Sequence, residues 1–180
     1  MRRQIILLLL FCSVLIGNAI SQISEYSVKA VYLERFTRFM QWPSNIALED
    51  TTQEFILGVI GDNPFENKLE EIYTEQKIKN KKVKLVYYQN VSQIEECHLL
   101  FIARTDNDKL FKILSYCSNK PILTVSDTGG FGGYGVHINF YISDNKVKFE
   151  INEKALHKAG LKCSYLLLKS ARIINPVGGF

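Results

Sequence analysis

The sequence is poor in the residues from which metal sites are usually built. It contains only three histidines in 180 residues, and none of them lies in an H-E-x-x-H motif. His98 precedes an apolar strand and His137 lies on the polar face of a hairpin pattern, which favours structural, hydrogen-bonded histidines. His157 and Cys163 are six positions apart, which is not a common helical spacing for two zinc ligands. We therefore expect no metal and no metal cofactor.

Signatures of nucleotide and nucleic-acid binding are also missing. Five glycines occur within residues 129–135, but no Gly-Lys-Ser/Thr ending follows them, as a phosphate-binding loop would require. The formal net charge is only +4. The one basic run, residues 77–84, borders a strand and is typical of a solvated face. We expect no nucleotide cofactor and no nucleic-acid partner.

Long apolar runs are limited to the start of the chain. Residues 5–17 form a run of 13 residues, well short of the ~20 that cross a bilayer. Two arginines precede the run and Ala19-Ile20-Ser21 follows it, which is the pattern of a signal peptide cleaved after Ser21. The sequence therefore predicts a signal peptide over residues 1–21, one domain over residues 22–180, and export to the periplasm.

Cysteine is scarce in the remaining chain. Cys97, Cys117 and Cys163 form an odd set, so at least one thiol stays unpaired within the chain. Cys97 lies at the start of a predicted strand and Cys117 at the end of the helix that returns beside it. We expect their Cα atoms to lie within the ~7 Å that a disulfide requires. Two buried free thiols are the equally weighted alternative.

The first segment after the signal peptide has the spacing of an amphipathic helix. Lys29, Glu34 and Arg38 are expected on its solvent side, and Trp42-Pro43 is expected to end it. The predicted apolar face consists of Val28, Val31, Tyr32, Phe36 and Phe39.

Strand and helix patterns then alternate. Strands are predicted at residues 54–60, 83–88, 98–103 and 121–125. Asn63 with Glu66 has the form of a capping box, and Thr105 with Asp108 repeats it. Strands separated by helices favour parallel pairing with right-handed crossovers.

The last third has the alternation of an antiparallel hairpin. Residues 136–142 and 147–151 alternate apolar and polar side chains around an Asp144-Asn145 turn, which predicts two half-exposed strands. A helix capped near Asn152 and interrupted at Gly160 follows. The apolar pairs expected across the hairpin are Ile142 with Val147, Phe140 with Phe149, and Ile138 with Ile151. The predicted class is a single α/β domain with a mostly parallel sheet, flanking helices, and a C-terminal antiparallel hairpin plus helix.

Three charged residues follow predicted parallel strands directly. Asp62, Arg104 and Asp127 each lie in the loop after a strand, and these loops share the ligand-binding edge of an open α/β sheet. We predict a cleft there for a ligand or a partner. The alternative is that the acids are ordinary cap and turn residues.

Two aromatic residues stand among the glycines of residues 129–135. Phe131 and Tyr134 are difficult to bury from a glycine-rich loop, and aromatic side chains are favoured interface anchors. We predict that both contact a partner protein. The alternative is a flexible crossover between the parallel part and the hairpin.

Five segments in order along the chain resemble the YfiR family of periplasmic signalling proteins. They are Lys29-Ala30-Val31-Tyr32-Leu33 with Phe36 and Phe39-Met40-Gln41-Trp42-Pro43; Gly58-Val59-Ile60-Gly61-Asp62-Asn63-Pro64-Phe65; Cys97-His98-Leu99-Leu100-Phe101-Ile102; Leu123-Thr124-Val125-Ser126-Asp127 with Gly130-Phe131; and Phe149-Glu150-Ile151-Asn152 followed by Ala159-Gly160-Leu161-Lys162.

The resemblance implies a non-enzymatic α/β domain that binds the periplasmic region of an inner-membrane signalling protein and restrains it. The implied partner is a diguanylate cyclase or a sensor kinase, and restraint of a cyclase would lower cyclic-di-GMP and biofilm formation. Better-known members use cysteine pairs to stabilise the repressor. Here only Cys97 falls on a matching position, and glycines follow Ser126-Asp127 where those members have cysteines.

Three functions fit the sequence. The first is a regulator bound to a membrane-anchored partner, the second a small-molecule-binding module built on Asp62, Arg104 and Asp127, and the third a hydrolase. Without a nucleophile–base pair, metal ligands or a cofactor motif, a binding protein is favoured over an enzyme. Co-purification of a membrane protein favours the first function, a thermal shift with a metabolite the second, and turnover lost with a cleft acid the third. A homodimer is left open.

Overall fold

The described chain folds into a three-layer α/β arrangement. A computed structural model of the protein describes residues 25–46 and 48–176. The predicted signal peptide over residues 1–21 lies outside the described residues. The helices are α1 at residues 25–39, α2 Lys68–Tyr73, α3 Asn107–Cys117, α4 Glu153–Lys158 and α5 Tyr165–Ser170, with a 3₁₀ turn at Val91–Gln93. The strands are β1 Met40–Gln41, β2 Phe55–Ile60, β3 Val83–Tyr88, β4 Leu99–Ile102, β5 Leu123–Ser126, β6 Ile138–Ser143, β7 Lys146–Asn152, β8 Lys162–Cys163 and β9 Arg172–Ile174.

Seven strands form the main sheet in the order β3-β2-β4-β5-β6-β7-β9. Every neighbouring pair is parallel except β6 with β7. The mostly parallel sheet and the C-terminal hairpin confirm the predicted fold class. The short strand β9, which the sequence analysis did not predict, extends the sheet beyond the hairpin, and β1 pairs with β8 in a separate two-stranded sheet.

The hairpin register matches the prediction residue by residue. Ile142 lies opposite Val147, Phe140 opposite Phe149, and Ile138 opposite Ile151. Asp144 and Asn145 both have positive φ, 54° and 55°, which is the type I′ conformation that suits a two-residue hairpin loop.

Apolar side chains on the two sheet faces form two clusters. The first cluster packs α1, α2, α4 and α5 against one face, with Phe36 and Phe140 among its buried rings. The second packs α3 and the segment of residues 128–136 against the other face, around Leu100 and Leu110. Both faces of the central strands are therefore covered, as parallel sheets require.

The predicted apolar face of α1 is only partly correct: Phe36 is buried, and Tyr32 and Phe39 pack against the core, but the other two residues do not. Val28 and Val31 are 41% and 37% exposed, whereas Lys29 and Glu34, which were expected in solvent, are 3% and 5% exposed. The helix turns Ala30, Leu33 and Phe36 into the core. The charged groups of Lys29 and Glu34 can be buried because each has an ion-pair partner.

The hairpin is exposed only toward its turn, and at its other end the face that the sequence predicted to be exposed is buried. Its polar face, which includes His137, Asn139 and Glu150, is covered by residues 128–136. The Asn139 side chain donates to the Thr128 carbonyl (3.1 Å), and Asn152 donates to the Gly132 carbonyl (2.9 Å). The glycine-rich segment is thus hydrogen-bonded to the sheet, which corrects the alternative of a flexible crossover.

Two predicted helix starts are displaced. Asn63 does not cap α2: its side chain accepts from the Phe65 N–H and donates to the Glu66 carbonyl, and the helix begins only at Lys68. Glu66 has φ +53°, which is incompatible with a capping box. In α3 the cap is Asp106, whose carboxylate accepts from the Lys109 N–H.

The C-terminal helix is interrupted as the sequence predicted. Asn152 caps α4 by accepting from the Ala155 N–H, and Gly160, with φ +72°, follows the end of α4. The chain then forms β8, and α5 begins after Ser164, whose hydroxyl accepts from the Leu167 N–H. The positive φ at Gly160 favours glycine where the helix has to stop.

The basic run of residues 77–84 is only partly solvated. Lys81 is 1% exposed, and its ammonium donates to the backbone carbonyls of Asp50 and Gln53. Lys79 donates to the Met40 carbonyl (3.1 Å), and burial lowers the pKa of its ammonium. These lysines hold the chain around residues 40–53, so their burial corrects the expectation of a uniformly solvated face.

Candidate functional site

The loops that follow β2, β4 and β5 meet at one edge of the sheet, as predicted. Ile60 lies beside Ile102, and Ile102 lies beside Ser126, so the three strand ends are in register. Asp62 and Arg104 are exposed in the loops that follow. Their role in binding a ligand or partner stays a prediction.

Asp127 is not the open cleft acid that the sequence suggested. Its carboxylate accepts from the Lys29 ammonium (2.6 Å) and from the Tyr26 hydroxyl (2.8 Å), both from α1. The side chains of Lys29 and Asp127 are 4% and 9% exposed. The Lys29 ammonium also contacts Glu25 (2.5 Å). Helix α1 therefore occupies the place where a ligand would reach this carboxylate.

Tyr26 joins this ion-pair cluster to the core. Burial, and then the charge and hydrogen bond of Asp127, raise the pKa of the Tyr26 hydroxyl, which therefore stays protonated as a donor. The Tyr26 ring packs edge-on against Phe65 at 5.4 Å, and Phe65 packs against Phe101 at 4.7 Å. Sequence reasoning missed Lys29 because it treated the residue as part of a solvent face.

The glycine-rich segment places its two aromatic residues differently from the prediction. Phe131 is 3% exposed and packs in the second apolar cluster, so the expectation that its ring is difficult to bury is wrong. Tyr134 is partly buried and packs edge-on against Phe111 at 5.6 Å. Gly132 permits this packing, because a Cβ there would lie 2.6 Å from Ile174 and 2.7 Å from the Glu150 carboxylate.

Cys97 and Cys117 are free thiols in the structure, which corresponds to the alternative of two buried thiols and not to the disulfide. Both are buried in or against the second cluster. Burial raises the pKa of each thiol to about 12, so both are protonated at neutral pH. The Cys97 thiol donates to the Leu99 carbonyl (3.1 Å). Low thiolate character disfavours spontaneous disulfide exchange at either sulfur.

His98 and His137 are structural, as predicted. The Ile56 N–H donates to Nδ1 of His98 (2.9 Å), and the Thr124 N–H donates to Nδ1 of His137 (3.1 Å). Burial lowers the pKa of both rings, that of His137 to about 4. Within residues 25–46 and 48–176, no group of three histidine, cysteine or carboxylate side chains is arranged to hold a metal ion.

The two most exposed large apolar side chains of the described chain, Tyr165 and Leu166, were not identified from the sequence. Tyr165 and Leu166, at the start of α5, are 75% and 66% exposed, and Ile173 of the edge strand β9 is 48% exposed. An exposed aromatic and aliphatic pair on one short helix is the signal that identifies this surface.

A groove of about 560 Å³ lies beside α5. Its apolar lining includes Tyr32 and Phe39 from α1 and Phe149 from β7, and Arg35 and Lys169 are basic residues along it. We call Tyr165, Leu166, Ile173 and this groove the α5 surface. It offers apolar contact area next to positive charge, which suits a protein partner, and the described lining of the groove contains no aspartate, glutamate or histidine.

The comparisons with known proteins identify a family. No described helix is long and apolar enough to cross a membrane. No curated protein sequence matches the chain. The profile of the YfiR/HmsC-like family matches residues 26–172, which include every strand of the main sheet except the last two residues of β9. The chain therefore belongs to the YfiR/HmsC-like family.

Proposed function

We propose that the protein is a periplasmic, non-enzymatic regulator that binds the periplasmic region of an inner-membrane signalling protein and restrains it. Family membership supports regulation of cyclic-di-GMP signalling as the general role. A diguanylate cyclase is the partner type that fits this role best, and a sensor kinase is the alternative type. Export through the predicted signal peptide of residues 1–21 would bring the domain to this partner.

The exposure of Tyr165 and Leu166 carries the proposal of a protein partner. Two neighbouring large apolar side chains, 75% and 66% exposed, are costly to leave in water and become favourable once a partner covers them. Ile173 on β9 is also exposed, at 48%, and the groove with its apolar lining lies beside the same helix. Tyrosine is one of the residue types that dominate binding energy at interfaces.

The alternative of a small-molecule module built on Asp62, Arg104 and Asp127 has weaker support. Lys29 and Tyr26 already donate hydrogen bonds to the Asp127 carboxylate. A ligand at this edge would have to displace a buried ion pair, which costs several kcal/mol at order of magnitude. Asp62 and Arg104 are both exposed, and their part in binding stays a prediction.

Site-specific photo-crosslinking tests the proposed surface in intact cells. Replacement of Tyr165 by the photo-reactive analogue p-benzoylphenylalanine keeps an aromatic side chain at an exposed position. The same replacement at Tyr87, which is 39% exposed on the opposite edge strand β3, is the matched control. We expect an inner-membrane protein to be crosslinked from position 165 and not from position 87, and equal capture from both positions contradicts the proposal.

A substitution pair then measures the interaction. Leu166→Lys removes apolar contact area and should weaken binding to the captured protein's periplasmic region at least tenfold, since a buried leucine contributes roughly 1.5–3 kcal/mol. Tyr87→Lys makes a similar change at the other edge of the sheet and should leave binding unaltered. Melting curves show whether both variants are folded, and unchanged binding by folded Leu166→Lys refutes the surface.

A further inference from the structure

A second pocket, of about 450 Å³, lies on the opposite face of the sheet from the α5 groove. It opens at the beginning of β5 and β6, where Thr124 and His137 form part of its lining. The end of α3 and the helix α4 form its sides. Its volume lies in the range of sites for small organic molecules. Among the residues that the structure describes, it shares no lining residue with the α5 groove or with the loops of Asp62, Arg104 and Asp127.

The walls of this pocket are mainly apolar. Phe111 and Tyr134 contribute two rings that meet edge to face, with centroids 5.6 Å apart and planes at 79°. Leu114 and Pro176 add aliphatic surface. Such a lining favours a ligand with an aromatic or branched apolar body.

The polar groups on the inner side of the pocket are already satisfied within the protein. Thr124 and His137 exchange two hydrogen bonds of 3.1 Å, from the Thr124 N–H to the ring and from the His137 N–H to the hydroxyl. Asn152 donates to the Gly132 carbonyl and accepts from the Ala155 N–H. Because burial holds the pKa of His137 at about 4, the ring carries no charge at neutral pH. These groups neither require a ligand partner nor contribute charge.

The charge of the pocket comes from two lysines. Lys154 and Lys158 lie one turn apart on α4, line the pocket and are both exposed. No aspartate or glutamate is among the described lining residues, and neither ammonium has an ion pair within residues 25–46 and 48–176. The described lining therefore does not neutralise the positive potential that the two lysines create at the mouth of the pocket. This potential favours the binding of an anionic group.

We infer that this pocket binds a small organic acid, with its apolar body against Phe111 and Tyr134 and its carboxylate at Lys154 and Lys158. The inference extends beyond the proposed function, because binding of such an acid requires no protein partner. Lysine side chains at a pocket mouth keep their hydration until the anion arrives, so the cost of desolvation is small.

The test uses 4-phenylbutyrate as the acid probe and 4-phenylbutanol as its uncharged counterpart. Titration of the isolated, isotope-labelled protein is followed through the backbone amide NMR signals. We expect the acid to shift the signals of Gly135 and Ala155 most, and to bind about tenfold more tightly than the alcohol.

Three variants make the result decisive. Lys154→Met with Lys158→Met should abolish the preference for the acid while leaving the alcohol affinity unchanged. Lys109→Met with Lys112→Met changes the charge equally at exposed positions of α3 outside the pocket and should retain the preference. Ser115→Trp, at an exposed lining position, should weaken binding of both probes by filling the mouth.

Three results would overturn the inference. They are equal affinities for acid and alcohol, the largest signal shifts lying outside the pocket, and a preference for the acid that survives in Lys154→Met with Lys158→Met. Because all measurements use the isolated protein, none of them depends on whether a membrane partner exists.

Discussion

At the scale of single residues, the buried side chains of Lys29 and His137 avoid an unpaired buried charge in two opposite ways. The ammonium of the buried Lys29 is paired with two carboxylates, that of Asp127 at 2.6 Å and that of Glu25 at 2.5 Å. No carboxylate of the described chain pairs with His137, and the ring, whose pKa burial lowers to about 4, stays neutral and accepts from the Thr124 N–H. Both arrangements follow from the large cost of an unpaired buried charge.

Lys29→Met should destabilise the protein by about 3 kcal/mol or more, because it leaves the Asp127 carboxylate buried without a cation. Urea unfolding measures the effect. Lys29→Met combined with Asp127→Asn should be less destabilising than Lys29→Met alone, since the amide can still accept from Tyr26. Lys148→Met, which breaks the exposed pair with Asp144 (2.9 Å), is the control and should cost under about 1 kcal/mol. A cost for Lys29→Met no larger than this control contradicts a buried pair.

His137 predicts a specific pH dependence of stability. Because the pKa of the folded ring lies at about 4, below the usual 6.5, the unfolded chain binds more protons between these values. The free energy of unfolding should therefore be fully retained above pH 6.5, fall as the pH drops toward 4, and lose up to about 3 kcal/mol over that window. Urea unfolding across this range measures the slope.

Two variants assign the slope to this ring. His137→Gln should flatten the dependence of the unfolding free energy on pH. Of the buried histidine rings, only His98 would then contribute to the slope, because burial also lowers its pKa. His157→Gln, at an exposed histidine, should leave it unaltered. If His137→Gln retains the full slope, the residue is not the buried neutral histidine described above.

At the scale of elements, the segment of residues 128–136 behaves as part of the sheet layer and not as a connecting loop. Phe131 packs with Leu110 and Ile102 in the second apolar cluster. The Asn139 and Asn152 side chains hold the carbonyls of Thr128 and Gly132. Its glycines serve close packing, because a side chain at Gly132 would collide with Ile174 and Glu150.

Gly132→Ala should therefore destabilise the protein by roughly 1–3 kcal/mol, as overpacking of a filled interior does. The new Cβ would lie within 2.7 Å of the Ile174 and Glu150 side chains. Gly129→Ala is the matched control, because a Cβ there has no neighbour within 4 Å and should change stability by less than about 0.5 kcal/mol. Thermal melts of the two variants provide the comparison, and equal effects would mean that residues 128–136 are not docked on the sheet.

At the scale of the whole molecule, the sheet separates the surfaces to which we assign different roles. The α5 surface lies at the β9 end of the sheet, beside the face that carries α1. The pocket with Lys154 and Lys158 lies on the other face, beside α3. A partner and a small acid can therefore bind without competing for the same residues.

Export makes a prediction about the mature chain. The Ala19-Ile20-Ser21 site predicts a mature protein that begins near Gln22. Intact-mass spectrometry of the protein from a cell-envelope fraction should give the mass of the chain from this residue. Recovery of a chain that retains residues 1–21 contradicts both the cleavage site and the proposed location.

The sequence by itself determined the features that depend on neighbours along the chain. Alternation and the Asp144-Asn145 turn fixed the hairpin register, because a shift by one residue would turn every side chain to the other face. Apolar runs between helical patterns identified β2, β3, β4 and β5, and parallel pairing brought Asp62 and Arg104 to one edge. The residue patterns that predict these features lie within short segments, so they can be recognised without knowledge of the tertiary contacts.

Only the tertiary structure decided which polar and aromatic residues are buried. Lys29 is 98 positions from Asp127, and Gly132 is 42 positions from Ile174. Neither contact can be predicted from the residue pattern of a short segment. From the local sequence alone, Lys29 is expected in solvent and Phe131 in an exposed loop. In the fold, where these partners are present, both side chains are buried. Burial is decided by the partner that the fold supplies, because the cost of removing a polar group from water depends on what replaces the water.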